Sequence, residues 1–148
     1  MAEGTPGRVL GIDYGTKRVG LAMSDPLRVI AGPVGTWENN AAFLERLASL
    51  IHEEAVTLVV VGMPYAPDGG KGAKAREVDG FIAQLRRRHP VPVVAWDESY
   101  TSVEAQRILI AGGKRRKQRR AKGAVDVMAA RLLLQQFLDA QPVSGRSE

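Results

Sequence analysis

The chain has 148 residues, a formal charge of +5 and no cysteine. That length suits one domain with a real hydrophobic core, and the lack of cysteine excludes disulfides, thiol catalysis and cysteine-ligated zinc. No apolar run approaches the roughly 18 residues needed to span a bilayer and the first residues hold no signal-peptide core, so a cytoplasmic protein with no membrane partner is expected.

Residues 1–7 read as a disordered lead-in and 141–148 as a disordered tail, framing one domain over 8–140. An apolar strand over 8–13 ends on a carboxylate, Asp13. Gly15 and Thr16 make a tight turn, and a second strand over 18–24 returns antiparallel. Asp25-Pro26-Leu27 signals another turn, and a third strand covers 28–36. Asn39 or Asn40 is placed to cap a helix over 40–55, whose stripe is Phe43, Leu44, Leu47, Leu50 and Ile51. Thr57–Val61 is a continuous apolar run, as in a parallel strand buried on both faces. A glycine-rich loop over 62–72 follows; it lacks the Walker A order, and it either approaches a phosphate or is simply mobile.

The next helix, 73–88, carries Val78, Phe81, Ile82 and Leu85 and stops at Pro90. A short strand over 91–96 delivers Asp97 and Glu98. Thr101 or Ser102 caps a helix over 103–111, ended by Gly112-Gly113. A last helix, 122–138, carries Val125, Met128, Ala129, Leu132, Leu133 and Phe137. The expected fold is α/β: a five-stranded mixed sheet, an antiparallel meander plus two parallel strands, flanked by helices on both faces. Ligands in such sheets gather at the carboxyl ends of the parallel strands.

The positive charge is local. Lys114, Arg115, Arg116, Lys117, Arg119, Arg120 and Lys122 account for seven of the 21 basic residues, and the remaining 14 face 16 acidic ones. Such a run is either a solvated loop or a patch for an anionic partner; mutual repulsion of its cations favours a nucleic acid. Lys17 and Arg18, beside the first turn, are either phosphate contacts or hairpin-surface charge. His52 and His89 sit at helix ends as charge partners, and Trp37 and Trp96 read as packing residues.

Three acidic positions are placed alike. Asp13 ends the first strand, Asp97 and Glu98 end the last, and Asp126 lines up with Ala130, Leu133 and Phe137 on an inward helical stripe. Asp126 alone could be a helix-start group favoured by the macrodipole, but that does not account for three acids from distant segments. Converging carboxylates repel, and a hard divalent cation relieves them. Two Mg²⁺ or Mn²⁺ ions about 4 Å apart clamp the attacking and leaving oxygens of a phosphodiester. Neighbours on a strand face opposite ways, so only one of Asp97 and Glu98 enters the site. Spacing does not decide between them; reach favours Glu98.

Four segments then form a pattern: Gly11-Ile-Asp-Tyr-Gly-Thr-Lys-Arg-Val-Gly-Leu-Ala22, Val61-Gly-Met-Pro64 with Asp68-Gly69, Asp97-Glu98-x-x-Thr101-Ser102, and Val125-Asp-x-x-Ala-Ala130. In this order the chain resembles the YqgF/RuvX family, itself similar to RuvC-type resolvases with an RNase H-like fold. The resemblance runs from about Arg8 to Leu138. It implies a metal-dependent nuclease, using Mg²⁺ or Mn²⁺, that processes the 5′ end of pre-16S ribosomal RNA or resolves Holliday junctions. The implied partners are structured RNA or branched DNA, with ribosomal particles a further candidate, and the state monomer or homodimer. Carried over by position, the catalytic, metal-binding acids fall on Asp13, Glu98 and Asp126. Two departures bear on how a strand is gripped: Ser99 stands where Arg is usual, and Ala66 and Pro67 where an asparagine is usual.

Two rival readings come from other classes. Asp13-Tyr14-Gly15-Thr16 also resembles the phosphate loop of sugar kinases, actin and heat-shock chaperone ATPases, but those need two such domains and this length provides one. A non-catalytic nucleic-acid-binding module would keep the acids as structural groups and bind without metal.

Overall fold

A computed structural model of the chain describes residues 7–98 and 118–141, with side chains described to 98 and from 126 onward. Five strands form one sheet: β1 (Arg8–Asp13), β2 (Arg18–Ser24), β3 (Ala31–Glu38), β4 (Val56–Met63) and β5 (Val93–Asp97). Their order is β3-β2-β1-β4-β5. The β1, β2 and β3 pairings are antiparallel, and β4 pairs in parallel with β1 and β5. Three helices are described: α1 (Phe43–Glu53), α2 (Ala73–Arg88) and α3 (Gln118–Ala140).

The strand alternation sorts the core into two layers. Leu10, Ile12, Val19, Leu21, Val59, Val61 and Met63 face one way, against Phe43, Leu47 and Ile51 of α1 and Val78, Phe81, Ile82 and Leu85 of α2. Val9, Ala22 and Val60 face the other way, against Ala130, Leu134, Phe137 and Leu138 of α3. The expected mixed sheet with helices on both faces is what forms. β4 is buried on both faces, and its β-branched run is correspondingly unbroken.

Several boundaries differ from the sequence expectation, each for a local reason. β3 begins at Ala31 rather than 28. The Asp25 carboxylate captures the N–H groups of Leu27, Val29 and Ile30 at 3.1, 2.8 and 2.8 Å, closing a loop where strand was expected. Arg28 sits there in the left-handed region, φ 62°, and its guanidinium reaches Gly7 O and Thr57 Oγ1. Gly7, expected in a disordered lead-in, is therefore tied to the body. The Gln141 side chain donates to Phe137 O at 2.8 Å, one turn back at the end of α3.

Neither asparagine caps α1, whose N-cap position is Ala42 without a side-chain bond. Asn40 Oδ1 instead accepts from Ala42 N at 3.0 Å, one turn early. Asn39 Nδ2 donates to Gly15 O at 2.7 Å and pins the first hairpin turn. β5 starts at Val93, not 91, and α3 is longer than expected at both ends. The expected helix over 103–111 and its Thr101 or Ser102 cap, together with Ser99, Lys114, Arg115, Arg116 and Lys117, lie outside the described residues, as do 1–6 and 142–148.

Candidate active site

The carboxyl ends of β1, β4 and β5 point the same way, because these three strands are parallel. Asp13 closes β1 on the α3 side, two alternations after Val9. The next residue, Tyr14, stacks on Phe81 from the opposite side, ring centroids 4.4 Å apart, which anchors the strand end. On β5, Trp96 faces α3 and meets Phe137 edge-on at 5.2 Å. Two residues on, Glu98 shares that side. Asp97 is instead in register with Met63, which is buried on the other face, and Asp97 is exposed.

Glu98 lies flat over Gly62 of β4. A Cβ on Gly62 would overlap the Glu98 carboxyl, which would have to shift to make room. The Glu98 N–H donates to Met63 O at 3.3 Å, continuing the ladder past the strand end. This brings the Glu98 carboxyl into hydrogen-bond contact with Asp13. Burial, more than any neighbour, pushes both acids up: Glu98 to about 8 and Asp13 to about 6. Their mutual bond raises Glu98 and lowers Asp13, and it holds a proton between the two carboxyls. Lys74, at the start of α2, partly offsets the negative charge of both.

Asp126 reaches the same face from α3. Its charge raises Asp13, which places it beside the pair. Its Oδ2, however, accepts from Arg18 Nε at 2.8 Å, a half-buried ion pair. The α3 backbone is seated tightly at this point: a Cβ on Gly20 of β2 would overlap the Asp126 carbonyl. Gly20 is in turn the register partner of Asp13. The two carboxylates are thus juxtaposed by one tight helix-on-strand contact.

The sheet therefore brings Asp13 and Glu98 into contact, sets Asp126 next to them, and turns Asp97 away. Among the described residues, no group of three acidic or histidine side chains is close enough to hold a metal ion as it stands. The donors of the Asp13–Glu98 pair are all carboxylate oxygens, and one of them is occupied by a proton. A hard divalent cation fits such a pair, replacing the proton and favouring oxygen ligands.

Of the cations named from sequence, Lys17 is exposed on the hairpin turn, while Arg18 is engaged by Asp126. Arg119, Arg120 and Lys122 fall on α3 with side chains outside the described residues. The glycine-rich loop is closed upon itself: Ala66 N donates to Gly70 O and Gly69 N to Ala66 O, both at 2.8 Å. Asp68 Oδ1 also accepts from Gly70 N at 2.8 Å. Trp37 packs edge-on against Phe43 and under Arg46, and His89 Nδ1 accepts from Val91 N at 3.2 Å. Sequence reasoning missed Lys74 and the two glycines. A glycine inside an apolar strand is itself a signal of close approach, and Gly20 and Gly62 both carry it.

Residues 7–140 match the model of the RuvX family, described as Holliday junction resolvase. A protein of Chlorobium luteolum named "Putative pre-16S rRNA nuclease" is 49% identical, covering 90% of this chain and 94% of the relative. A Halalkalibacterium halodurans protein of the same name is 42% identical, covering 90% and 97%. Two solved structures share the fold: Thermus thermophilus RuvC in complex with Holliday junction substrate, with a TM-score of 0.53, 17% identity and 90% and 94% coverage, and Fowlpox virus resolvase with Holliday junction DNA, at 0.53, 11%, 90% and 97%.

Proposed function

The chain belongs to the RuvX Holliday junction resolvase family, and on that premise we propose that it hydrolyses phosphodiester bonds in structured nucleic acid with Mg²⁺ or Mn²⁺. The proposed substrate is the 5′ end of pre-16S ribosomal RNA, in keeping with the names of its relatives. The observation that carries the reading is the convergence of Asp13 and Glu98, from strands far apart in sequence, on a sheet face that Asp126 also reaches. A structural role alone does not account for that pair, since burying two carboxyls together raises the cost of ionising either.

In this reading Asp13, Glu98 and Asp126 hold the metal, probed as one ion or two. A bound ion would supply positive charge toward the phosphate and lower the pKa of a water. Asp13 and Glu98 would hold it as carboxylates, without the proton they share in its absence. Gly62 keeps the Glu98 side chain flat against β4, and Gly20 keeps Asp126 within reach. Lys74 adds positive charge beside the acids. In this reading Lys17 and the basic residues from Lys114 to Lys122 supply cations for the phosphate backbone. Overall, water adds across one P–O bond, leaving one phosphate end and one hydroxyl end. A cytoplasmic location belongs to this reading; among the described residues no helix is long and apolar enough to cross a membrane.

Branched DNA is the second reading, favoured by the description of the family model. Incubating the protein with a pre-16S 5′ fragment and with a four-way DNA junction, in Mg²⁺, Mn²⁺ or EDTA, separates the two. Preferential metal-dependent cutting of the RNA is expected. Preferential cutting of the junction would move the substrate to DNA. Binding of both without cutting, indifferent to EDTA, would leave a binding module and remove the nuclease reading.

A further inference from the structure

Two of the three acids lean on each other, and the third leans on a cation of the protein's own. Asp13 and Glu98 share a hydrogen bond, whereas Asp126 is bound by Arg18, 108 residues away in sequence. Side-chain direction makes this split, not backbone distance. The Asp126 carbonyl is pressed against Gly20, and Gly20 is paired with Asp13. With α3 seated this tightly, only the side-chain torsions of Asp126 are left to move. Arg18 lies two residues before Gly20 on the same side of β2, so it meets Asp126 from the strand that seats the helix.

We propose that Arg18 is a latch: a positioning residue whose guanidinium holds the Asp126 carboxylate against β2 and yields it to the divalent ion. This rests on the reading of a divalent centre at Asp13, Glu98 and Asp126. Without the ion, the latch offsets the repulsion between the Asp126 and Asp13 carboxylates. With the ion, Arg18 loses its partner, and its planar fork is available to a phosphate. Arg18 and the ion therefore compete for one carboxylate. An ordinary surface ion pair would affect only stability, and by little.

The test is calorimetric titration of Mn²⁺, without nucleic acid, into the wild type, Arg18→Gln, Asp126→Asn and the double variant. Arg18→Gln is expected to bind about three- to tenfold more tightly, and the same change to matter less than about twofold when Asp126 is already Asn. Equal tightening in both backgrounds would mark a general field effect and overturn the latch. So would unchanged or weaker binding by folded Arg18→Gln while the wild type binds; that outcome leaves the divalent centre standing. No Mn²⁺ binding by the wild type overturns the centre and the latch together. Arg18→Lys, a compact charge without the Nε–H, is expected to fall between wild type and Arg18→Gln. If Arg18→Gln does not fold, Arg18→Lys binding no more tightly than wild type overturns the latch.

Discussion

Beneath α1 and α2 the strands present Leu10, Ile12, Val19, Leu21, Val59, Val61 and Met63, a layer of large apolar side chains. Beneath α3 the same strands present Val9, Gly20, Ala22, Val60 and Gly62, and then the acids. The first face is filled for packing. The second is thinned until a helix backbone and a glutamate side chain lie directly on the sheet. One alternation thus separates a packed apolar layer from the acids, and the carboxylates gather where side-chain volume has been removed.

The sharpest way to break this comparison is to neutralise in turn the two neighbouring acids at the end of β5, Asp97 and Glu98. Glu98→Gln is expected to lower cleavage by more than about a hundredfold, exceeding what loss of an outer-shell partner costs. Asp97→Asn, on the other face, should stay within about threefold. Single-turnover rates on the preferred substrate decide; equal losses would mean that the faces are not functionally distinct. On the packing face, Leu47→Ala, fully buried, should lose about 2–5 kcal/mol of stability by denaturant melt, with cleavage per folded molecule little changed.

Much of this division was legible in the sequence. The β1–β2 hairpin, the helical stripes and the three acidic positions all follow from periodicity and from carboxylates at element ends. The choice between Asp97 and Glu98 was not, because it depends on which face Trp96 takes, and Trp96 packs against Phe137, far along the chain. The Arg18–Asp126 pair was hidden for the same reason: it joins residues that only the fold brings together. The error at β3 was of another kind. Val29 and Ile30 look like strand residues, yet the Asp25 carboxylate takes their N–H groups first. The basic run from Lys114 was legible as composition alone.

Glycine substitutions sharpen the comparison further. Gly20→Ala would drive a methyl into the Asp126 carbonyl, and an overpacking loss of about 1–3 kcal/mol is expected. Gly80→Ala, on the outer side of α2 with nothing within 4 Å, should instead gain about 0.8–1 kcal/mol from helix propensity. Thermal melts of the two variants should move in opposite directions.

The acid face also predicts a pH signature. Folded, Glu98 titrates at about 8 and Asp13 at about 6, against ordinary values of 4.5 and 3.8. Between these limits the folded chain binds more protons than the unfolded one. Metal-free protein should therefore be most stable below about pH 4 with respect to these two groups, and should lose stability steadily as the pH rises to about 8. Mg²⁺ or Mn²⁺ should flatten that decline, and Glu98→Gln should remove most of it. A melting temperature that rises over this range in EDTA would contradict the buried pair.

The most direct test of the central claim, that this acid face is a metal-dependent cutting site, is single-turnover cleavage by wild type and Asp13→Asn. Each is measured in Mg²⁺, in Mn²⁺ and in EDTA, with melting curves to establish that the variant is folded. Cutting by the wild type with either ion, abolished by EDTA and by Asp13→Asn, is the predicted result. Cutting that persists in EDTA, or in the folded Asp13→Asn variant at the wild-type rate, would contradict it.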